Sequence, residues 1–237
     1  MKVFYFSLTK GDKVNCLLHQ TSKFVDGVEI YFKERNKMSI AKAYNKAIDF
    51  CIKEGVDYLV LCHDDVILEN VTEVKLLENF DQFDMFGVAG ATQCKLEKPV
   101  LWHLMGGGFN GGNLHGAVSH LQGNIKGMTS FGPYPHRAVM VDGVFMAIKR
   151  KVFEKVRFDE KCPAKFHFYD IDYSMSAHKA GFKVGVGDIL ITHASPGLRE
   201  FTPEFEKGQD WFIKKQGAAP SSKKTTKRKK GKRKTKS

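Results

Sequence analysis

The sequence predicts an α/β fold in which helices cover the faces of a largely parallel central sheet. Over the first 90 residues, short apolar runs alternate with segments whose apolar residues recur at helical spacing, which is the pattern of strand–helix–strand units. The chain has 237 residues, of which 42% are hydrophobic and 27% are charged. This length and composition suit one globular domain with a sizeable core.

Strands and helices alternate through the first half of the chain. Ser39 is a favourable N-cap for the helix that follows it, and Gly55 is placed to end that helix. Alternation of this kind brings successive strands together in parallel, with the helices as crossovers. The predicted strands are 3–8, 28–32, 58–62 and 86–91, and the predicted helices are 40–52 and 72–83.

The second half contains a glycine-rich segment, 106–116, with five glycines before His115. It lacks the Gly-Lys-Ser/Thr ending of a phosphate-binding loop, and no helical pattern follows it. We therefore interpret it as a mobile loop rather than a nucleotide cradle. The remaining predicted elements are a turn at 131–135, strands at 139–148 and 182–192 (the latter as one strand or two), and helices at 149–156, 170–180 and 203–217.

The positive charge of the chain is concentrated at its C-terminus. The formal net charge is +12, and residues 223–236 contribute ten lysines and arginines and no acid, which leaves 12 − 10 = +2 for the rest. We expect a single domain at 1–217 followed by a disordered basic tail at 218–237. The tail is interpreted as a solvated segment or localisation signal, with weak contact to a polyanion or a membrane surface as the alternative.

The cysteines and the apolar runs indicate a cytoplasmic protein. Five cysteines, an odd number without Cys-x-x-Cys spacing, argue against a disulfide framework or a zinc site and for reduced thiols. The first apolar run is too short for a signal-peptide core, and no run approaches the roughly 20 residues of a membrane span.

The run from Tyr58 to Cys62 delivers three polar residues, His63, Asp64 and Asp65, to the end of a predicted strand. Ligands of open α/β sheets bind at the carboxyl ends of strands. Two adjacent carboxylates there suit a divalent cation that itself holds a phosphate. The alternative is an ordinary surface turn, in which aspartate is common.

Two further sites carry candidate functional groups. Asp170 and Asp172 lie at the start of a predicted helix, where a carboxylate acts either as a helix cap or as a general base in a cleft. His193 ends the last predicted strand, where a lone histidine is more often structural than a ligand. None of these short patterns is specific when it is taken alone. Their order and spacing along the chain are far more specific.

Eight collinear motifs carry a family resemblance. They are the strand 3–8, Ser39-Ile-Ala-Lys-Ala-Tyr-Asn-Lys-Ala47, Leu59–Val66, Val141–Arg150, Phe158-Asp-Glu160, Tyr169-Asp-Ile-Asp172, and Ala180-Gly-Phe182 with Thr192-His193. Over residues 2 to 200 the chain resembles glycosyltransferases of the GT-A type, especially family 2 and its streptomycin-biosynthesis-like relatives. The resemblance implies a Rossmann-like nucleotide-diphospho-sugar transferase fold.

The resemblance also implies a metal site. His63-Asp64-Asp65 stands at the position of the family's DxD motif, so Asp65 is expected to coordinate Mn²⁺ or Mg²⁺, with His63 beside it. Asp64 is expected to contact the nucleotide ribose or to assist the metal. His193 matches a histidine that completes the metal shell in some GT-A enzymes.

Donor and base positions follow from the same resemblance. Ser7 and Glu34, at the ends of the first two strands, and Asn45, in the first long helix, match positions near the donor nucleotide. Asp170 matches the final acid of the family's base motif. Because Tyr169 stands where a glutamate usually precedes that acid, the base is left open between Asp170 and Asp172.

Two other departures concern the donor. His63 replaces the first acid of the DxD motif, so the metal would be held by fewer carboxylates. Tyr44 replaces an arginine that is common before the helix asparagine, so contacts to the donor phosphates would come from elsewhere.

The implied activity is metal-dependent, inverting transfer of a sugar from a nucleotide-diphosphate donor, with a UDP-sugar expected, to a hydroxyl of a glycan or glycoconjugate. One alternative keeps the fold but changes the reaction to sugar-phosphate nucleotidyl transfer, although the glycine-rich basic signature of that class is absent from the N-terminus. The other alternative is a polyanion-binding module that acts through the tail. If the transferase interpretation holds, removing 218–237 leaves turnover nearly intact.

Overall fold

The computed structural model describes residues 2–23, 25, 27–195 and 200–217. The predicted basic tail, 218–237, lies outside the described residues. The helices are α1 (Leu17–Ser22), α2 (Ile40–Lys53), α3 (Glu73–Gln82), α4 (Trp102–Met105), α5 (Arg150–Phe153), α6 (Tyr169–Lys179) and α7 (Pro203–Gly217). The strands are β1 (Val3–Leu8), β2 (Ile30–Lys33), β3 (Tyr58–Cys62), β4 (Val66–Leu68), β5 (Met85–Gly87), β6 (Ala89–Ala91), β7 (Leu114–Gln122), β8 (Ile125–Gly132), β9 (His136–Arg137), β10 (Met140–Val141), β11 (Phe145–Lys149), β12 (Val184–Val186) and β13 (Ile191–His193).

The main sheet has seven strands in the order β2-β1-β3-β11-β5-β12-β9. The pairs β1–β2, β1–β3 and β5–β12 are parallel, as the alternating pattern predicts. The pairs formed by β11 with β3 and β5, and by β9 with β12, are antiparallel. The predicted α/β class is confirmed, with a mixed sheet in which the parallel part is the first three strands and one later pair.

A second sheet has the order β10-β6-β7-β13-β4, and β8 extends it by pairing with β7. The long hairpin β7–β8 was not predicted. The segment 106–116 was predicted to be a loop, but its last three residues, Leu114 to Gly116, belong to β7. Glycine-rich sequence hid the start of this strand because glycine has little strand preference.

Two predicted strands are each divided between the sheets. The predicted strand 86–91 contains the end of β5 and all of β6, and the predicted strand 139–148 contains β10 and most of β11. Apart from Asp142 and the glycines, these segments are apolar because they are largely buried. Apolarity alone does not say which sheet a residue joins.

Helices cover both faces of the main sheet. Leu59 and Leu61 of β3 belong to a core cluster with residues of α2 and α6, whereas Val60 and Cys62 belong to a cluster with residues of α1 and α3. A third cluster joins α6 and α7 to the second sheet. The alternation of side-chain direction along β3 therefore explains why that strand is apolar at every position.

The predicted helix starts agree with the structure. Ser39 accepts a hydrogen bond of 3.3 Å from the backbone N–H of Lys42 at the start of α2, and Thr72 accepts one of 3.2 Å from Lys75 at the start of α3. Within the part of the chain that the structure describes, no helix is both long and apolar enough to span a bilayer.

Candidate active site

The segment His63-Asp64-Asp65 connects β3, in the main sheet, to β4, in the second sheet. The backbone N–H of His63 donates to the carbonyl of Val144 at 3.1 Å, which ties the segment to the residue before β11. On the other side, β13 pairs with β4 so that His193 lies opposite Val66, and the N–H of Ala194 donates to the carbonyl of Asp65 at 2.9 Å. The register of this strand pair therefore places His193 beside Asp65.

His63, Asp65 and His193 form a cluster whose potential metal-binding atoms all lie within 4.8 Å of one another. Oδ1 of Asp65 lies 3.2 Å from Nε2 of His193 and 3.9 Å from Nδ1 of His63. The closer approach lacks hydrogen-bond angles, so Oδ1 of Asp65 and Nε2 of His193 are both buried without a hydrogen-bond partner among the described residues. Buried polar atoms are rarely left unpaired, and a cation between them would satisfy both.

The charges of the cluster are mutually dependent. Burial lowers the pKa of His63, although the carboxylate of Asp65 opposes this effect. Burial raises the pKa of Asp65, but the neighbouring His193 and His63 outweigh it, and the net effect is a lowered pKa. Asp65 is therefore held as a carboxylate beside an imidazole kept neutral by burial, which are the protonation states of metal ligands.

A cavity of about 660 Å³ opens on one side of the cluster, at the carboxyl ends of β1 and β3. Asp64 lines it, and Oδ2 of Asp64 accepts a weak hydrogen bond from the thiol of Cys16 at 3.6 Å. Asp12 and Asn36, from the loops that follow β1 and β2, add further polar groups. The volume lies within the range typical of small-molecule sites.

A second cavity, of about 350 Å³, opens on the other side of the cluster. Its polar lining includes Asp142 and Asp170, and its apolar lining includes Trp102 and several phenylalanines. His63 and Phe166 line both cavities. The candidate metal-ligand cluster, formed by His63, Asp65 and His193, thus lies between a nucleotide-sized cavity and a smaller cleft that contains two carboxylates.

Asp170 lies in the first turn of α6, where the helix dipole favours an acid. Its Oδ2 accepts a hydrogen bond of 2.8 Å from the backbone N–H of Gly143. Burial, and then the negative charge of Asp142, raise the pKa of Asp170 to about 7. A carboxylate with a pKa near neutrality is suited to accept a proton from a bound hydroxyl.

Comparison with known protein families identifies the family of this chain. The sequence pattern of the family described as "Glycosyltransferase like family" matches residues 18–235, which is most of the chain. The chain belongs to this glycosyltransferase-like family. It is therefore a glycosyltransferase, and its fold is of the α/β class. None of the curated proteins matches it significantly.

Three solved structures similar to this glycosyltransferase are distant from it in sequence. A197 from STIV is 17% identical, covers 82% of this chain and 83% of its own, and superposes with a TM-score of 0.47. A GalNAc-T7 structure with UDP, GalNAc and Mn²⁺ is 11% identical over 81% of this chain and 37% of its own, with a TM-score of 0.48. A glycosyltransferase involved in glycosylating the major capsid of PBCV-1 is 11% identical over 87% and 99% of the two chains, with a TM-score of 0.35.

Asp172 of the glycosyltransferase lies away from both cavities. Its side chain is 2% exposed and accepts hydrogen bonds of 2.7 Å from Lys215 and from Gln216 of α7. Lys215 also pairs with Asp159 at 2.8 Å. Burial raises the pKa of Asp172, and Lys215 opposes that rise. These contacts hold α7 against α6, so the geometry separates Asp172 from the cleft in which Asp170 lies.

The side chain of Asn45 in the glycosyltransferase also makes structural hydrogen bonds, to residues outside the cavities. Its side-chain amide donates to the carbonyl of Phe158 at 2.9 Å and to Glu160 at 2.8 Å, and its side-chain oxygen accepts from the N–H of Phe158 at 3.0 Å. It fixes the loop after α5 and does not line the 660 Å³ cavity. Asn45 was predicted to lie near the nucleotide, and this structure gives it a different set of contacts.

Ser7 and Glu34 lie near the nucleotide-sized cavity but do not line it. Ser7 is fully buried in β1, and its hydroxyl has no hydrogen-bond partner among the described residues. Oε2 of Glu34 accepts from the backbone N–H of Lys13 at 2.9 Å, which fixes the loop that borders the cavity. Both residues are placed to shape the cavity wall.

Sequence reasoning missed Asp142, Asp12 and Asn36 as site residues. Asp12 and Asn36 follow the first two strands, and the rule that ligands bind at the carboxyl ends of strands could have identified both. Asp142 lies between β10 and β11, inside one predicted strand, and the turn dipeptide Asp142-Gly143 could have identified the break.

Proposed function

We propose that this chain is a metal-dependent, inverting glycosyltransferase. Its donor is a nucleotide-diphosphate sugar, with a UDP-sugar implied by the family resemblance, and its acceptor is a hydroxyl of a carbohydrate or glycoconjugate. The observation that carries the proposal is the position of His63, Asp65 and His193 between two cavities, with Asp170 in the smaller one.

The 660 Å³ cavity is the proposed nucleotide site. Asp12 and Asp64 offer carboxylates for the hydroxyls of a ribose and the edge of a base, and Asn36, whose side-chain amide bonds the backbone of Met38, shapes the cavity wall. Asp64 and Asp65 are adjacent, so a nucleotide held by Asp64 directs its diphosphate toward the metal-ligand cluster. The sugar then lies where the two cavities meet, beside His63.

The metal-ligand cluster fits a divalent transition metal. Asp65 supplies a carboxylate oxygen, and His63 and His193 supply imidazole nitrogens. Mg²⁺ prefers oxygen ligands, whereas nitrogen ligands suit transition metals, so the donor set favours Mn²⁺ over Mg²⁺. When bound, the ion stabilises the negative charge that develops on the departing diphosphate.

Asp170 is the proposed general base. Its carboxylate, in the smaller cleft, accepts the proton of the acceptor hydroxyl as that oxygen attacks the sugar. Attack from this cleft, with the diphosphate leaving toward the other cavity, inverts the configuration at the reacting carbon. Asp172 is left with a role in stability because its hydrogen bonds are made to α7.

A thermal-shift experiment on the full chain tests the donor and metal site. Nucleoside diphosphate together with Mn²⁺ is expected to raise the melting temperature, since a ligand at 100 times its Kd stabilises by about 2.7 kcal/mol. Asp65→Asn is expected to abolish the shift. Asp210→Asn, which changes an exposed acid of α7 paired with Lys98, is the matched control and should keep it.

Two results would contradict the proposal. A metal-dependent shift of unchanged size in Asp65→Asn would remove Asp65 from the metal site. Release of pyrophosphate from a sugar phosphate and a nucleoside triphosphate would assign the chain to nucleotidyl transfer instead. A screen of nucleotide sugars for metal-dependent hydrolysis then identifies the donor.

A further inference from the structure

The side chain of Tyr169 contacts His63 of the metal-ligand cluster but is not one of the three candidate ligands. Its hydroxyl oxygen lies 2.8 Å from Nε2 of His63 and 3.3 Å from the carbonyl oxygen of Gly143. Tyr169 is 8% exposed, and its ring packs edge-on against Tyr44 at a centroid distance of 5.6 Å. The phenol is therefore a fixed group in contact with one of the three candidate ligands.

We propose that Tyr169 is a positioning residue that selects the tautomer and orientation of His63 needed for metal binding. This inference rests on the proposed metal site. It assigns to Tyr169 a role separate from that of its neighbour Asp170, which faces the acceptor cleft.

The count of protons at the hydroxyl supports this assignment. The hydroxyl of Tyr169 carries one proton, and the carbonyl of Gly143 can only accept. When the hydroxyl donates to Gly143, its oxygen accepts from His63, and the proton of the neutral imidazole must then lie on Nε2. Nδ1 is left with a free lone pair, and Nδ1 is the nitrogen that lies 3.9 Å from Oδ1 of Asp65.

The opposite arrangement would disable the site. If Tyr169 donated to Nε2 of His63, the proton of the neutral imidazole would lie on Nδ1, and that nitrogen could not bind a metal. The carbonyl of Gly143 gives the hydroxyl an acceptor other than Nε2 and so favours the binding tautomer. Histidine ligands usually donate their second N–H to a fixed partner in this way, and loss of that partner typically weakens metal binding about 10- to 100-fold.

A main-chain hydrogen bond also fixes the orientation of His63. The N–H of His63 donates to the carbonyl of Val144, directly after Gly143, so the same short segment holds both the backbone and, through Tyr169, the ring of His63. A Cβ at position 143 would clash with the hydroxyl of Tyr169. The phenol thus reaches His63 only because residue 143 is a glycine.

The test compares Tyr169→Phe with Tyr173→Phe in the full chain. Tyr173 is a suitable control because it lies on the same helix and its buried hydroxyl has no hydrogen-bond partner among the described residues. Titration calorimetry with Mn²⁺ should give a Kd that is about 10- to 100-fold weaker for Tyr169→Phe and unchanged for Tyr173→Phe. ¹⁵N chemical shifts of the His63 ring in the metal-free wild type should show the proton on Nε2.

The outcomes separate this inference from the proposed function. If the wild type binds Mn²⁺, Asp65→Asn does not, and Tyr169→Phe binds within twofold of wild type, the positioning role is overturned and the metal site stands. A ring proton on Nδ1 in the metal-free wild type overturns the positioning role without any variant. Absence of Mn²⁺ binding in the wild type overturns the metal site itself, and the inference with it.

Discussion

Gly143 donates its backbone N–H to Oδ2 of Asp170 at 2.8 Å and thereby fixes the proposed base at the start of α6. The two residues are in such close contact that a Cβ on Gly143 would lie 2.7 Å from the Cβ of Asp170. The absence of a side chain at position 143 is therefore what allows the first turn of α6 to approach the connection between β10 and β11 and to face the cleft.

Gly143→Ala is expected to move Asp170 and Tyr169 away from the cleft. A displacement of about 1 Å at a reacting group can cost about 100-fold in rate, so kcat should fall by that order. Gly127→Ala is the control, because a Cβ there meets nothing within 4 Å. Steady-state kinetics of the two variants make the comparison, and an unchanged kcat in Gly143→Ala would show that this contact does not position the base.

The transfer reaction should depend on pH through Asp170. The pKa of Asp170 is raised to about 7 by burial and then by Asp142, and a general base acts only when ionised. The rate should therefore rise about tenfold per pH unit below pH 7 and level off above it. A pH profile of kcat/KM measures the midpoint.

The variant Asp142→Asn tests whether Asp170 sets the midpoint of the pH profile. Removal of the negative charge of Asp142 should shift the midpoint of the profile to lower pH, since a like charge nearby disfavours ionisation of Asp170. Asp81→Asn, an exposed change on α3, should leave the midpoint where it is. A midpoint that does not move in Asp142→Asn would mean that another group controls the profile.

The free energy of unfolding should depend on pH with the opposite sign to the rate of transfer. An acid whose pKa is higher in the folded state than in the unfolded state holds its proton only when folded, between about pH 4 and 7. The contribution of Asp170 to the free energy of unfolding should therefore decrease as pH rises through this interval. Asp170→Asn should remove that part of the pH dependence of stability, and melting temperatures at several pH values would show the loss. The same variant should abolish transfer while leaving Mn²⁺ binding intact.

Asp172→Asn should behave differently from Asp170→Asn. The carboxylate of Asp172 accepts hydrogen bonds from Lys215 and Gln216, and hydrogen bonds to charged groups contribute about 1.5–3 kcal/mol each. The variant should lower the free energy of unfolding by about 1.5–3 kcal/mol for each hydrogen bond that is lost, measured by denaturant titration. It should retain kcat. Loss of transfer without loss of stability would return Asp172 to the catalytic role that the sequence left open.

Asn45→Ala should also act on stability rather than on the donor. The substitution removes the hydrogen bonds to Phe158 and Glu160 and leaves buried backbone groups unpaired, at a cost of about 1–3 kcal/mol each. The expected result is a lower melting temperature with an unchanged Kd for nucleoside diphosphate. Asn36→Ala, which changes a residue of the cavity wall, should weaken that Kd, and the reverse pattern would restore Asn45 to the nucleotide site.

Local sequence signals were sufficient for much of the fold. The strand β1 has the predicted bounds 3–8, and β3 has the predicted bounds 58–62. Ser39 caps α2 as predicted, and Thr72, the first residue of the predicted helix 72–83, is the N-cap of α3. These features depend on capping, periodicity and apolar runs, which are properties of neighbouring residues.

The candidate site was only partly accessible from sequence. His63, Asp64 and Asp65 were found because they follow a strand directly. Asp170 and His193 were candidates because of their positions at a helix start and a strand end, and the family resemblance gave them roles. Sequence could not distinguish Asp170 from Asp172, since both lie in the first turn of one helix and differ only in the direction of their side chains. That direction is decided by what each meets, a cleft for Asp170 and α7 for Asp172.

By itself, the sequence determined the α/β class, the N-cap of α2 at Ser39 and the polar segment 63–65 after a buried strand. Only the tertiary structure decided that β13 pairs with β4 and places His193 beside Asp65, and that Tyr169 touches His63. The physical reason is that periodicity and capping depend on residues a few positions apart. Strand register and contacts across sheets depend on packing between residues more than a hundred positions apart in the chain.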